Sequence, residues 1–384
     1  MGCKKIALLV TSALFCLSSY AQVTMNLVEG KRKVVSSNTS VAISYENYVR
    51  AQKESKAARL ALLPSFSVDL FLLDYQYIML RSIIPEPSRF FSAAASAELV
   101  GAADLNRLIV KRNILEDFEK NYYLLQMRKS FLPMLAQELE ILEELEQDTL
   151  EAYELGAVEF SEYYQAKRTA LGARSAYLGA EQLIASDELG MKLMLEIPND
   201  TELVLENEDL YNGALDFPES STEAESIAVN NSKEIETYYY TINAARKMKK
   251  GVAISWLSWS GVGFDYFARS SIAKSNIRKL ENERTKTIYE TRNQVSKLYQ
   301  LIENQKKKIE IQERLVEMAD LNYEAKLDQF NELRGTKIAL KKAEISTLSS
   351  KREYLSLEYE LEILYISLKR ILGTTMISNE VPRA

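Results

Sequence analysis

The stretch that decides the fold is Ile288 to Tyr323, IYETRNQVSKLYQLIENQKKKIEIQERLVEMADLNY. Within it Ile288, Thr291, Val295, Leu298, Ile302, Gln305, Ile309, Gln312, Val316, Ala319 and Tyr323 follow one another in alternating steps of three and four residues. That spacing lays a single stripe along one side of a helix, the heptad seam of packed coiled-coil helices. No proline lies between Pro218 and Pro382 to remove a helical N–H donor. Working outward from the seam, the pattern predicts a long helix over 272–325 and another over 102–154. A helix of about 53 residues extends ~80 Å at 1.5 Å per residue. Such a rod cannot cover its own stripe and needs neighbouring helices along its whole length.

The two long helices belong to an internal repeat. Asn38-Thr39-Ser40 recurs as Asn230-Asn231-Ser232, with Ile43 and Tyr48 matching Ile235 and Tyr240, a displacement of 192. Farther on, Tyr153-Glu154, Phe160, Glu162 and Lys167 match Tyr323-Glu324, Phe330, Glu332 and Lys337, a displacement of 170. The second copy is thus expected to be about 22 residues shorter between Trp256 and Tyr323. Each copy reads as a first helix (41–62, 223–250), a β-like segment, a long helix, a tight break and a returning helix (160–195, 330–372). The expected organisation is a leader at 1–21, a first repeat at 22–195, a linker at 196–222, a second repeat at 223–375 and a tail at 376–384. Pro198, Asn199, Gly213 and Pro218 punctuate the linker, where Leu203-Val204-Leu205 is a candidate short strand.

Lys4 and Lys5 precede the apolar run Ile6–Leu17, and small residues Ser19 and Ala21 follow. This is the pattern of a secretory signal peptide cut after Ala21. Both cysteines, Cys3 and Cys16, fall inside it, and the chain has no histidine. Nucleophilic Ser-His-Asp and Cys-His sites, imidazole ligation and thiolate zinc sites are therefore excluded, and the abundant carboxylates read as solvated helix faces. Neither an enzyme nor a cofactor is expected. The chain carries 48 basic and 54 acidic residues, net −6; loss of Lys4 and Lys5 leaves 46 against 54, or −8. An acidic chain is unsuited to nucleic acid. No later run reaches about 18 apolar residues, so membrane insertion would go through β-strands or an edge.

Three stretches carry a family resemblance. They are Ala57-Ala58-Arg59-Leu60-Ala61-Leu62-Leu63-Pro64-Ser65-Phe66-Ser67, Tyr153-Glu154-Leu155-Gly156-Ala157-Val158-Glu159-Phe160-Ser161-Glu162, and Leu368-Lys369-Arg370-Ile371-Leu372-Gly373. In this order and spacing the chain resembles the TolC family of outer-membrane efflux channels. The resemblance implies a mainly α fold of long antiparallel coiled-coil helices in two tandem repeats with short β segments, an α-barrel joined to a reduced β-barrel. It also implies a homotrimer in the outer membrane with a periplasmic extension, exporting small molecules or polypeptides with an inner-membrane transporter and a periplasmic adaptor. Glu162, Glu332 and Tyr323 would line the narrowed mouth; Gly156, Ala157, Ser161, Lys326 and Leu327 would form the adaptor-facing turns at 155–161 and 325–331. The sequence departs from the family where Lys326 replaces a turn glycine and Gly335 replaces a second acid. Read from chemistry alone, Gly156 closes a helix in the left-handed conformation, and Ser161 and Glu162 favour the start of the next helix.

The β segments bear on transport. Phe66, Val68, Leu70 and Leu72 alternate with polar residues, Pro85-Glu86-Pro87 suits a turn, and Phe90–Leu99 is a candidate return strand. The second copy offers only Ile254–Ala268, with Trp256, Trp259, Phe264 and Tyr266 as strand candidates. Two crossings of ~9–11 residues each fit the first copy and not the second. A narrower barrel, strands paired outside the hydrocarbon layer, and loss of the β end all remain open. So does a second function, a non-channel periplasmic coiled-coil scaffold.

Overall fold

The computed structural model describes residues 22–63, 86–210, 217–255 and 265–373. The leader, Phe66, Val68, Leu70, Leu72, Trp256, Trp259, Phe264 and the tail at 376–384 lie outside them. The described chain is mainly α. In order it forms β1 (Gln22–Met25), α1 (Leu27–Ser37), α2 (Thr39–Leu60), α3 (Pro87–Glu154), α4 (Phe160–Leu195), β2 (Glu202–Leu205), α5 (Ser221–Asn231), α6 (Lys233–Ile254), α7 (Tyr266–Asn331) and α8 (Lys337–Leu372).

Element lengths recur. α1 and α5 have 11 residues each, α2 and α6 have 22, α4 and α8 have 36, and α3 and α7 have 68 and 66. The first helices begin at 27 and 221, 194 residues apart, and the returning helices begin at 160 and 337, 177 apart. Both displacements correct the expected 192 and 170. The expected helix at 41–62 is α2 with a further helix, α1, before it, whereas the expected helix at 223–250 is two helices, α5 and α6; in both copies a polar residue caps the second helix. Asn38 accepts a hydrogen bond from the Ser40 amide at 2.9 Å, and Ser232 one from the Ile235 amide at 3.2 Å.

Two expected strand segments are helical. Phe90–Leu99 lies in α3, which starts at Pro87, where the fixed φ of proline suits a first helical residue, and continues through Ala93-Ala94-Ala95. Tyr266, expected in a membrane strand, opens α7. Asp265 drives this start: its carbonyl accepts from the Arg269 amide at 2.9 Å, and its carboxylate pairs with Arg269 at 2.5 Å.

The chain divides into two compact units, each drawing on both halves of the sequence. One contains the described residues up to Val34 with Phe118–Leu210 and Ile309–Tyr359; the other contains Val35–Asp117, Tyr211–Lys308 and the residues from Glu360 on. In the first unit β1 and β2 pair in parallel, Gln22 opposite Glu202 and Met25 opposite Leu205. The Leu203-Val204-Leu205 strand is as expected; β1 is too short to carry a period. α1 crosses α3 closely, because a Cβ at Gly30 would lie 2.3 Å from Phe118 Cζ. Phe118, Tyr122 and Leu125 are fully buried there. Tyr122 donates to the Glu206 carbonyl, and the Gln126 amide donates to the Glu208 carbonyl at 2.9 Å, so the strand exit is bonded to α3. Burial and the nearby Glu208 and Glu206 charges push the Tyr122 phenol well above its usual range. Buried Glu119 pairs with Lys31 at 2.9 Å.

In the second unit Ala224, Ala228, Val295, Ile302, Tyr365, Leu368 and Leu372 form one buried cluster. Phe217 stacks on Tyr365 at 5.4 Å, and Tyr299 donates to the Pro218 carbonyl at 2.7 Å. Arg370 gathers Asn113, Glu116 and Glu234, joining α8 to α3 and α6. All eleven seam positions between Ile288 and Tyr323 are buried or half-buried. The heptad reading of α7 holds.

Candidate functional site

The candidate site is built at the two helix turns of the first unit. At the end of α3 Gly156 has φ 71°, which a residue without Cβ adopts freely. Its amide bonds to the Tyr153 carbonyl at 2.9 Å and the Ala157 amide to the Ala152 carbonyl at 2.8 Å. This paired closure satisfies two helix-end carbonyls. At the end of α7 the same pattern recurs 177 residues later. Leu333 has φ 60°, its amide bonds to Phe330 O at 3.0 Å, and the Arg334 amide bonds to Gln329 O at 2.9 Å.

The second turn is therefore Glu332–Thr336, and the expected turn at 325–331 is corrected. Lys326 and Leu327 lie inside α7; the run Lys326–Asn331 has no helix breaker, and Lys326 bonds to Gln329 one turn on at 3.0 Å. Gly335 sits where Cβ would come 3.0 Å from the Phe330 amide nitrogen. Thr336 caps α8 by accepting from the Ala339 amide at 3.2 Å. In the first turn Ser161 and Glu162 do fall in the opening turn of α4. Ser161 does not cap that helix: its hydroxyl donates to the Glu159 carboxylate at 3.4 Å.

These placements separate the residues expected to form a gate. Glu162 is exposed two residues into α4, whereas Glu332 is exposed just past the end of α7 and pairs with Arg334 at 3.4 Å. At the true displacement the counterpart of Glu162 is Ala339 and that of Glu332 is Leu155. The two acids are not equivalent. Tyr323 is half-buried within α7, and the aromatic matching Tyr153 is Phe330.

Two features escaped the sequence reading. Tyr153, Phe160, Tyr163 and Tyr164 form a ring cluster around the first turn, with Tyr153 stacked on Tyr163 at 5.9 Å and Phe160 5.8 Å from Tyr153. Lys167 lies over the Tyr163 ring at 5.5 Å. The aromatic spacing was visible; that the rings meet across a turn was not. The second feature ties the hairpins together. Lys341, almost fully buried on α8, reaches Glu144 at 2.6 Å and Asp148 at 3.1 Å on α3, and Lys337 also reaches Asp148 at 3.0 Å. The Lys341 hydrogen bond holds Glu144 below the usual carboxylate range. Burial alone would raise Asp148, but the bonds from Lys337 and Lys341 outweigh it and lower it. Burial would lower Lys341, and its bonds to the two acids outweigh that, so it is raised.

Among the described residues no group of three or more metal-ligating side chains gathers, and no helix is long and apolar enough to cross a membrane. Among the described residues the two turns combine closed helix ends, exposed aromatic rings and surface charge.

No protein-family sequence profile matches the chain, and no curated protein matches it by sequence. Solved structures do match. The outer-membrane protein VceC of Vibrio cholerae superposes with TM-score 0.69 at 12% identity, over 90% of this chain and 96% of its own. CusC, a transmembrane channel, gives 0.73 at 13%, over 94% and 96%. The open MtrE outer-membrane channel of Neisseria gonorrhoeae gives 0.69 at 14%, over 90% and 88%. The chain has the fold of the TolC-like outer-membrane efflux channels. That likeness runs almost end to end in both directions.

Proposed function

We propose that the chain is a subunit of a TolC-like outer-membrane channel. It contains two tandem copies of one helical hairpin unit, and three chains enclose a tube. The tube passes small molecules or polypeptides delivered by an inner-membrane transporter through a periplasmic adaptor, which meets the turns at 155–159 and 332–336. The carrying observation is the fold agreement over 90–94% of this chain with two outer-membrane proteins and a transmembrane channel, over 88–96% of their own length. Exposed apolar stripes support assembly. Tyr164, Leu171 and Leu178 recur every seven residues on α4, and Ile311, Leu315 and Met318 run along α7, all exposed in the single chain. Passage requires no bond chemistry; pore shape and pore charge govern it.

Glu162 and Glu332 are the proposed charged positions at the mouth, with Tyr323 above them. Glu162→Ala and Glu332→Ala channels in planar bilayers are expected to lose cation selectivity by about twofold or more. Unaltered conductance and selectivity in both would remove these residues from the pore. The deciding experiment for the function is fractionation with conductance: a heat-modifiable oligomer in outer membranes that conducts ions supports the channel.

One observation favours a second reading, a periplasmic scaffold. Between α2 and α3 the chain has residues 61–86, whereas between α6 and α7 it has only 255–265. Release of the protein with the soluble periplasm and absence of conductance would favour the scaffold.

A further inference from the structure

Five arginines among the described residues are half-buried: Arg107, Arg112, Arg128, Arg352 and Arg370. Arg107 pairs with Asp104, Arg128 with Asp187, Arg352 with Glu138, and Arg370 with Glu116 and Glu234. Among the described residues Arg112 has neither a carboxylate within ion-pair distance nor a hydrogen-bond acceptor for its guanidinium. A charge drawn out of water is ordinarily paired. Here burial and the like charge of Arg370 hold the guanidinium below its usual range, and the carboxylates of Glu234 and Glu236, beyond pairing distance, offset this only in part. The helix-end carbonyls beside it are taken. Arg112 Nη1 would lie 3.7 Å from a Cβ at Gly373, yet the Arg370 carbonyl already accepts from the Gly373 amide and the Leu372 carbonyl from Asn231.

Arg112 lines a cavity of about 210 Å3 between α3, α6, α7 and α8, within the second compact unit. That volume is severalfold the ~30 Å3 of one water. The other charges on its wall have partners: Arg370 and Glu234 pair at 3.0 Å, and Glu290 reaches Lys286 at 3.6 Å. The Thr287 and Thr291 hydroxyls donate to the Glu283 and Thr287 carbonyls, so towards the cavity their oxygens can only accept. The open donors are therefore the Arg112 guanidinium and the Gln294 carboxamide, and the open acceptors are Glu290 and the two threonine oxygens. A planar guanidinium fork matches a carboxylate. A doubly charged phosphate suits the cavity less, because Glu234 and Glu290 share its wall. We infer that this cavity binds a small monocarboxylate that carries a hydroxyl or ammonium group beside its carboxyl, with the carboxylate on Arg112 and the second group on Glu290 and the threonine oxygens. The site stands independently of the channel reading, since all its residues belong to one unit.

The test is calorimetric titration of the purified full chain in detergent, in a buffer without carboxylates, with glycerate, alanine, acetate and inorganic phosphate. Saturable binding of glycerate or alanine is expected, with acetate and phosphate at least tenfold weaker. Whichever of the first two binds more tightly identifies the second group as hydroxyl or ammonium. The ligand should also raise the unfolding temperature of the parent protein, as anything that binds only the folded state does. Arg112→Gln should weaken binding at least tenfold and abolish that rise, while unfolding without ligand at the same or a higher temperature, because it removes an unpaired charge next to Arg370. A lower unfolding temperature for the ligand-free variant would make Arg112 a structural residue and overturn the inference. So would the absence of saturable binding, equal binding of acetate or phosphate, or undiminished binding by Arg112→Gln. Glu380→Gln tests whether the chain's own tail, outside the described residues, supplies the carboxylate. Unchanged affinity is expected there, and a rise of tenfold or more would give the cavity to the tail and overturn the proposal.

Discussion

Gly30 and Gly156 are both glycines for which a methyl group is costly, for different reasons. At Gly30 the added carbon meets the fully buried Phe118 ring at 2.3 Å, so the ring or α1 must move. Gly30→Ala is expected to destabilise the protein by about 1–3 kcal/mol, as overpacking does. At Gly156 no atom lies within 4 Å, and only the φ of 71° opposes a side chain. Gly156→Ala should cost about 1 kcal/mol, and Gly156→Asn less, since asparagine tolerates this conformation. Denaturant unfolding of the three variants checks the order; equal losses at both sites would contradict the distinction. The first turn could be read in the sequence because it uses glycine. The second could not, because a leucine at the left-handed position carries no turn signature. Sequence also had no means of pairing Gly30 with Phe118, 88 positions away.

At the scale of the helices, the seam of α7 was legible and its end was not. Moving a repeat by seven residues leaves every heptad position in phase, so apolar periodicity cannot choose between displacements of 170 and 177. The choice falls to helix-end chemistry: Lys326 continues the helix, and Leu333, Gly335 and Thr336 stop it and start the next. Gate residues picked from the matched pattern inherited the same one-heptad slip. The two hairpins are joined by Lys341 with Glu144 and Asp148, which periodicity also cannot show, since it requires α8 and α3 to be neighbours. The sign of its pH dependence follows from the shifts. Glu144 and Asp148 bind protons less tightly when folded, so their contribution is present above the ordinary carboxylate value of about 4 and fades as pH falls through the lower folded values. Lys341 holds its proton more tightly, so its contribution is complete below about 10.5 and fades as pH rises through the higher folded value. Lys341→Met is expected to lower stability by about 1 kcal/mol at neutral pH, the Lys341–Asp148 bond being partly solvated. It should also flatten the acid limb of the stability profile. A profile identical to that of the parent protein would remove the cluster from the link between hairpins.

For the molecule as a whole, the fold class followed from one stripe of residues on α7, and the proposal of assembly draws on other stripes left uncovered. Leu171 and Leu178 on α4 and Ile311 and Met318 on α7 stay exposed although the seam beside them is filled. Exposed apolar residues repeated along one helix are what the proposed assembly would cover. Substitution of Leu171 and Leu178 by glutamate should leave helix content unchanged and abolish the oligomer, read by circular dichroism and light scattering together. Retained assembly would assign those leucines elsewhere. The measurement that bears most directly on the channel is the number of chains per particle in detergent-extracted protein, by light scattering. Three chains per particle are predicted; a stable monomer with the same helix content would contradict the account.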